Sequence, residues 1–499
     1  MTIDATTNLK ATLAADYAAN ATLAIKGAAT LVDLSGAQLS SNFKSVDASG
    51  MTAGGASVKL GAATTAFIGG AGNDTVDIGN LVFNGTVKVD GGGGTGDVLR
   101  LKDQGALTAA TATNLLNFEI LRIYGDGVND VDTFDVSLLS GLTGVQVDEI
   151  TAADGAVTVN GLSAALAQAV TIRGDQAANI TFGVTGATTV GQIDTLKLSI
   201  DDGKPAVNLV TVGNLTAAGV ENIVLSLTDN FKASSLTGLT EMTNITASGA
   251  GTLNLTFGAL PLNPNTVVDA SDVTGAVTIN ASGTIGIHGI KIISGSGNDT
   301  ITGTNNDDVI ITGAGKDTIT GGAGKDTITT GAGRDTIITA TLAVDRDIIT
   351  DFTVGTGGDA LSFAVNSLTS GSTPNNLAGD APVTHIKNVA ASGNLSAAPG
   401  EYIFLISVEN VLGALSLNGT TVLDALVAGP SSGTITTAAA GDKLVFLVSN
   451  GTDVGVYLGN DADTNSTIDA SEIELIAVLQ GVSSVTSLVG GANGNFVYT

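Results

Sequence analysis

Five aspartates stand nine residues apart in one stretch of the sequence: Asp299, Asp308, Asp317, Asp326 and Asp335. Carboxylates at such short, regular spacing repel one another unless a cation lies between them. A site of carboxylate and turn-carbonyl oxygens, flexible in geometry, suits a hard divalent ion, and calcium is the natural choice. The phrases that carry the acids run from Ser294 to Ile338 as SGSGNDTIT, GTNNDDVII, TGAGKDTIT, GGAGKDTIT and TGAGRDTII.

The rest of each phrase says what must position the acid. Neighbouring glycines let the backbone turn through positive φ, so the first half is a tight turn. The second half, Thr-Ile-Thr or its like, is a short strand with one inward isoleucine. Ile301, Ile310, Ile319, Ile328 and Ile337 supply it, again nine apart. Two phrases make one coil, and coils stacked at about 4.8 Å set Asp299, Asp317 and Asp335 along one edge and Asp308 and Asp326 along the other. Asx turns in a metal-free β-helix would share the period, but they give no reason for an acid at every turn.

The pattern resembles the RTX nonapeptide, GGxGxDxUx, whose family binds calcium in a parallel β-roll. GGAGKDTIT is the complete copy; Thr304 and Asn306 replace glycines in the second phrase, and Ser294, Thr312 and Thr330 replace the first glycine elsewhere. The resemblance implies that DRDIITDFTVGTGGDALSF, residues 345–363, closes the roll. Asp347, Asp351 and Asp359 would then complete the last calcium site, with Phe352 over the roll end. Upstream, an isolated copy, GGAGNDTVD at Gly69 to Asp77, makes Asp74 a further calcium candidate, and GGGGTGDVLRL offers a degenerate cousin at Asp97.

A different loop lies near the end, DADTNSTIDASE. Its spacing follows the EF-hand: Asp461, Asp463, Asn465, Thr467 through its carbonyl, Asp469, and a bidentate Glu472. Ser466 stands where glycine is expected, and a solvated acidic turn is the alternative. The preceding KLVFLVSNGTDVGVYLGN predicts a hairpin about Asn450-Gly451, and the following SEIELIAVLQGV a short helix.

Composition sets the frame. With 47 acids against 19 bases and a net charge of −28, nucleic acid and acidic membranes are poor partners. The same acidity keeps a chain of mean hydropathy +0.36 in solution. No cysteine is present, so disulfides and thiolate metal sites are excluded. Glycine numbers 67, aromatics make up 4% and tryptophan is absent, which favours thin β-layers with glycine at the bends. The expected class is all-β: stacked β-solenoid or β-sandwich layers, a parallel β-roll, and a C-terminal β domain with the EF-hand-like loop. Four regions follow. Residues 1–40 form a helix or docking arm, because Leu9, Leu13 and Tyr17 fall four apart within 8–26. Residues 41–290 are repetitive and solenoid-like, 291–363 are the roll, and 364–499 are the C-terminal domain. Within the second region FDVSLLSGLT at Phe134 echoes FKASSLTGLT at Phe231, and VDAS recurs at 46 and 268.

Extracellular-type calcium sites bind at about 10⁻⁴ to 10⁻³ M. At millimolar calcium a site with a tenfold lower dissociation constant adds about 1.4 kcal/mol, and four or five such sites about 6 kcal/mol. That term vanishes in calcium-poor cytosol, so folding after export is expected. The N-terminus has no basic start followed by an apolar core, and no apolar run reaches the ~18 residues of a membrane span. RTX-like proteins leave through type I secretion systems that read an uncleaved C-terminal signal, and the tail LVGGANGNFVYT is compatible with one. Repeated Leu-Ser/Thr-Gly-Leu-Thr phrases joined to RTX turns resemble the RTX-type surface-layer proteins of Gram-negative bacteria.

Catalysis finds little footing. There are two histidines, His288 and His385, and no HExxH. GPSSG around Ser431 imitates a nucleophile elbow, but both histidines precede it. GAGKD imitates a phosphate loop, yet aspartate follows the lysine where Ser or Thr should hold magnesium. The expectation is a non-enzymatic, calcium-dependent, self-assembling protein of the cell surface. It would form a homo-oligomeric sheet or filament, with cell-surface glycan or lipopolysaccharide as a further partner. A secreted adhesin or matrix protein is the first alternative, and a hydrolase on an RTX scaffold the second.

Overall fold

The computed structural model describes residues 1–13, 17–78, 86–102, 107–125, 130–148, 154–174, 179–187, 189, 192–339, 346–354, 357–363, 386–389, 395–396, 403–406, 435–436, 443–460, 467–483, 488 and 496–498. Two compact units, Met1–Thr246 and Ala247–Thr499, are each wound as a parallel β-solenoid, about 14 turns in all. Each turn gives one strand to each of two sheets. In the first unit one sheet begins Thr2–Asp4, Ala21–Gly27, Phe43–Met51, Ala66–Ile68. The other runs Leu9–Lys10, Leu31–Asp33, Gly55–Lys59, Thr75–Asp77. The sandwich-layer alternative gives way to the solenoid.

Strand follows from alternation: Asn222–Leu227 places Ile223, Leu225 and Leu227 inward and its polar residues outward. Between the sheets, like residues stack in columns. Ile279, Ile301, Ile319, Ile337 and Leu361 are register partners on one face. Ile292, Ile310, Ile328 and Ile349 are partners on the other. All are fully buried, and each side chain contributes about 1.5–3 kcal/mol.

Corners repeat a small code. Ser35, Ser49, Ser137 and Ser271 each donate N–H and hydroxyl to Oδ1 of the aspartate two residues before, at 2.6–3.1 Å. This Asx turn is why VDAS recurs at 46 and 268 and why FDVS opens the phrase at Phe134. Phe134 and Phe231, the heads of the longer echo, are both fully buried in corresponding strands of one sheet.

Coil length separates the roll from what precedes it. Ile301 pairs with Ile319, one coil of 18 residues on, whereas Thr195 pairs with Asn222 and Leu121 with Val145 across longer coils. The surplus residues lie in the turns, so the ladder is regular although the sequence period is not.

Two expectations are corrected. The helix anticipated within 8–26 is strand at Leu9–Lys10 and Ala21–Gly27 among the described residues. Leu23 and Ile25 alternate into the core, Leu23 pairing with Val46 on one side and Ile25 with Ile3 on the other; that ladder outweighs a fourfold spacing spread over separate segments. The helix anticipated after Ser471 is also absent: Ala470–Glu472 makes one 3₁₀ turn and Ile473–Leu479 is a strand. Its sequence, IELIAVL, alternates inward and outward and finds partners on both sides. The hairpin stands as expected, Lys443–Ser449 against Val454–Asn460, with Gly451 at φ 90° and Asn450 Oδ1 accepting from the amides of Thr452 and Asp453. Ile473–Leu479 joins Val454–Asn460 to Asp347–Ile349, so the hairpin's sheet continues directly from the roll.

Candidate calcium-binding site

The turns of the roll stack its aspartates into two ladders. Along one edge the Asp299 amide donates to Asp317 Oδ1 at 2.8 Å, the Asp317 amide to Asp335 Oδ1 at 2.9 Å, and the Asp335 amide to Asp359 Oδ1 at 3.0 Å. Along the other the Asp308 amide donates to Asp326 Oδ1 at 2.8 Å and the Asp326 amide to Asp347 Oδ1 at 3.1 Å. Each carboxylate thus ties its own coil to the one before it through a single oxygen.

The second oxygen is the informative one. Oδ2 of Asp299, Asp317, Asp326 and Asp335 is buried and has no hydrogen-bond partner. A buried charge so placed is costly, and all four carboxyls are raised above their ordinary value. Burial, with the charges of Asp347 and Asp308, pushes Asp326 up to about 8. Burial, with the Asp359 and Asp317 charges, pushes Asp335 to about 7. Burial leads the rise of Asp299, to which the Asp317 charge adds, and is the cause of the rise of Asp317. The turns crowd around these oxygens as only glycine allows: a Cβ on Gly321 would collide with Asp326 Oδ2, and one on Gly333, at φ 145°, with the Gly315 carbonyl. Buried carboxylate oxygens without a partner, in turns that hold no histidine or cysteine, fit calcium, a hard cation that takes oxygen ligands. Asp299, Asp317, Asp335 and Asp326 are the residues that would hold it.

The remaining expected ligands divide. Asp308 has both oxygens engaged: Oδ1 accepts from the Ile290 amide at 2.7 Å and the Thr304 hydroxyl at 2.9 Å, and Oδ2 from the Thr304 amide at 2.6 Å. Thr304, standing in a glycine position, supplies the extra donor. Burial raises Asp308 to about 6. Asp359 accepts from the Asp335 and Thr353 amides, and Asp351 from the amides of Thr330 and Gly331. The closing segment therefore pins the last turn through backbone donors, with Phe352 buried beneath it. Asp74 is likewise saturated, by the Ala56 amide at 2.6 Å and the Gly70 amide at 2.8 Å.

Residues 291–319 and 302–337 match the family model of the RTX calcium-binding nonapeptide repeat. The roll is built of RTX calcium-binding repeats. No curated protein matches the chain. The calcium of an RTX repeat accounts for both oddities of this roll, the orphaned oxygens and the raised acids, because a divalent ion replaces the protons and supplies the missing partner.

Outside the RTX roll, the EF-hand-like loop is only partly visible. Asp461, Asp463 and Asn465 lie outside the described residues, as do His385, Ser431 and most of the tail. Asp469 Oδ1 accepts from the Ser471 amide and hydroxyl, which hold its carboxyl below the usual range. Glu472 Oε2 accepts from the Asp469 amide at 3.1 Å. The two acids close a capping box around Ala470–Glu472, and Thr467 begins the two-residue strand before it.

Sequence reasoning passed over two glutamates. Glu119 Oε2 accepts from the Asp97 amide, and Glu221 Oε2 from the Asp194 amide, both at 2.8 Å. They do at longer coils what the RTX aspartates do in the roll. The signal was present in FEILRI and VENIVL, an acid just before each strand. Asp201, Asp202 and Asp229 also gather their carboxylates within 4.8 Å. Lys204 Nζ lies 3.2 Å from Asp202, and the Asn208 amide and side chain donate to Asp229 and Asp202, so part of that cluster's charge is offset within the protein.

Proposed function

We propose that this chain is a calcium-stabilised extracellular structural protein that assembles with its own copies as a bacterial surface layer and has no catalytic role. The observation that carries the calcium dependence is the row of buried, unpartnered Oδ2 atoms in the RTX roll. Such a roll is strained where calcium is scarce and completed where it is plentiful, which couples folding to the cell exterior. Among the described residues no helix is long and apolar enough to cross a membrane. Export by a type I system and retention at the surface through glycan or lipopolysaccharide belong to the same proposal.

The assembly step rests on the resemblance of the repeats, the absent cysteine and the Thr/Ala/Gly-rich layers to surface-layer proteins. Negative-stain electron microscopy of the purified chain in millimolar calcium, then after chelation, tests it. Sheets or fibres that dissolve with chelator support it. Folded monomers at every calcium level sink it and favour the adhesin reading, to be followed by glycan-binding assays.

A further inference from the structure

Three of the chain's five arginines gather on the outer face of one sheet in the Met1–Thr246 unit. Strands Val98–Leu101, Ile120–Ile123, Gly144–Val147 and Val170–Ile172 run side by side, with Arg100, Arg122, Gln146 and Thr171 in register. Leu99, Leu121, Val145 and Val170, the residues just before them, are buried, so this row points outward. Arg173 follows two residues after Thr171, on the same face, and its amide donates to the Val147 carbonyl at 2.7 Å. Neighbouring strands lie about 4.8 Å apart, so Arg100 and Arg122 set like charges against each other.

Carboxylates answer only one of the two. Arg100 has Nη1 3.4 Å from Asp77 Oδ2 and Nη2 3.7 Å from Asp148 Oδ2, and it lies over the Tyr124 ring, 4.6 Å from its centroid. Arg122 donates from Nε to Gln146 Oε1 at 2.8 Å and makes no ion pair; among the described residues its two terminal amines have no partner. Arg100 Nε is buried and likewise without a hydrogen-bond partner. Burial, then the Arg173 charge, pull the Arg122 guanidinium below its ordinary value; Asp148 opposes this and Arg100 adds to it.

We propose that this face binds a phosphate group on the terminal amines of Arg122, with the charge of Arg100 on the strand before it and that of Arg173 two strands after. The planar guanidinium fork pairs with two oxygens of an oxyanion at once. A phosphate brings about two charges and three free oxygens, enough for more than one guanidinium, whereas a carboxylate is filled by one. Were the row only a solvated face, one of the chain's 47 acids could answer Arg122 as Asp77 and Asp148 answer Arg100. The neutral Gln146 stands beside it instead. The net charge of −28 repels polyanions at long range, so a single phosphate, free or carried on a sugar, is the ligand that fits. Neither calcium nor self-assembly enters this proposal, so the roll and the surface-layer reading are tested apart from it.

Phosphorus NMR of inorganic phosphate and of glucose phosphate, each with the full chain added at constant ionic strength, tests the site. The line of at least one is expected to broaden saturably. Broadening of the inorganic line names free phosphate as sufficient; broadening of the sugar ester's line alone names a sugar-borne phosphate. Arg122→Gln keeps an amide donor but neither the charge nor the fork, and should weaken binding by about tenfold or more. Arg334→Gln, in the roll, should leave it unchanged. Should Arg122→Gln lose the wild-type circular dichroism spectrum, Arg122→Lys, which keeps the charge and loses the fork, is expected to weaken binding by a smaller factor. No broadening of either line would overturn the proposal, as would wild-type binding by the Arg122 variants. Acetate displacing phosphate at equal concentration would overturn the choice of phosphate.

Discussion

Loading the RTX roll with calcium at pH 7 is expected to expel protons, because several of its acids are protonated when the ion is absent. Of the acids that would hold the ion, Asp326 is held at about 8 and Asp335 at about 7. At pH 7 these hold about 0.9 and 0.5 of a proton, so saturating the roll releases about 1.4 protons per chain from these two. At pH 9 about 0.1 remains. The direction also fixes the stability of the calcium-free roll. Its acids are raised above the unfolded value of 3.8, so the folded chain binds more protons than the unfolded one between about pH 4 and 8. The proton-linked stability is complete below about pH 4 and is lost as pH rises through that window, where calcium must take over. Isothermal titration calorimetry in buffers of different ionisation enthalpy reads the release as the slope of apparent heat against buffer heat. A slope near 1.4 at pH 7 that collapses at pH 9 is expected. Equal heats in all buffers at pH 7, or a release undiminished at pH 9, would refute the reasoning.

Asp317→Asn keeps an acceptor for the Asp299 amide but cannot supply a charge, so it should raise the melting temperature in chelator and lower it in calcium. At millimolar calcium the loss is about 1.4 kcal/mol for one site of tenfold lower dissociation constant. Ile319→Ala empties a fully buried column position and should cost about 2–5 kcal/mol, equally with and without calcium, as denaturant unfolding would show. Gly333→Ala combines a φ of 145° with a Cβ driven into the Gly315 carbonyl. It should therefore exceed the ~1–2 kcal/mol of a left-handed residue alone and weaken the calcium response measured by circular dichroism.

The roll was readable because one constraint fixes everything at once: an 18-residue coil leaves no slack, so glycine, aspartate and isoleucine recur in step. Upstream the same ladder is built from coils of varying length, and the period dissolves although the inward residues remain, as Leu121 and Val145 illustrate. The Asp-x-Ser corners could be seen as echoes, but their meaning is a hydrogen bond, not a repeat. Which acids lack a partner could not be seen at all. Asp74 sits in a complete nonapeptide and is saturated, whereas Asp97 sits in a broken one and is not, because the difference lies in amides and side chains from other turns. The spacing of Leu9, Leu13 and Tyr17 misled for a related reason: strand pairing with the next coil outweighs local periodicity.

Anomalous X-ray scattering from crystals grown in millimolar calcium tests the central claim most directly. A roll completed by calcium predicts ions about 2.3–2.6 Å from Oδ2 of Asp299, Asp317, Asp335 and Asp326. Well-ordered turns whose Oδ2 atoms meet only water or protons, with no anomalous density beside them, would contradict it.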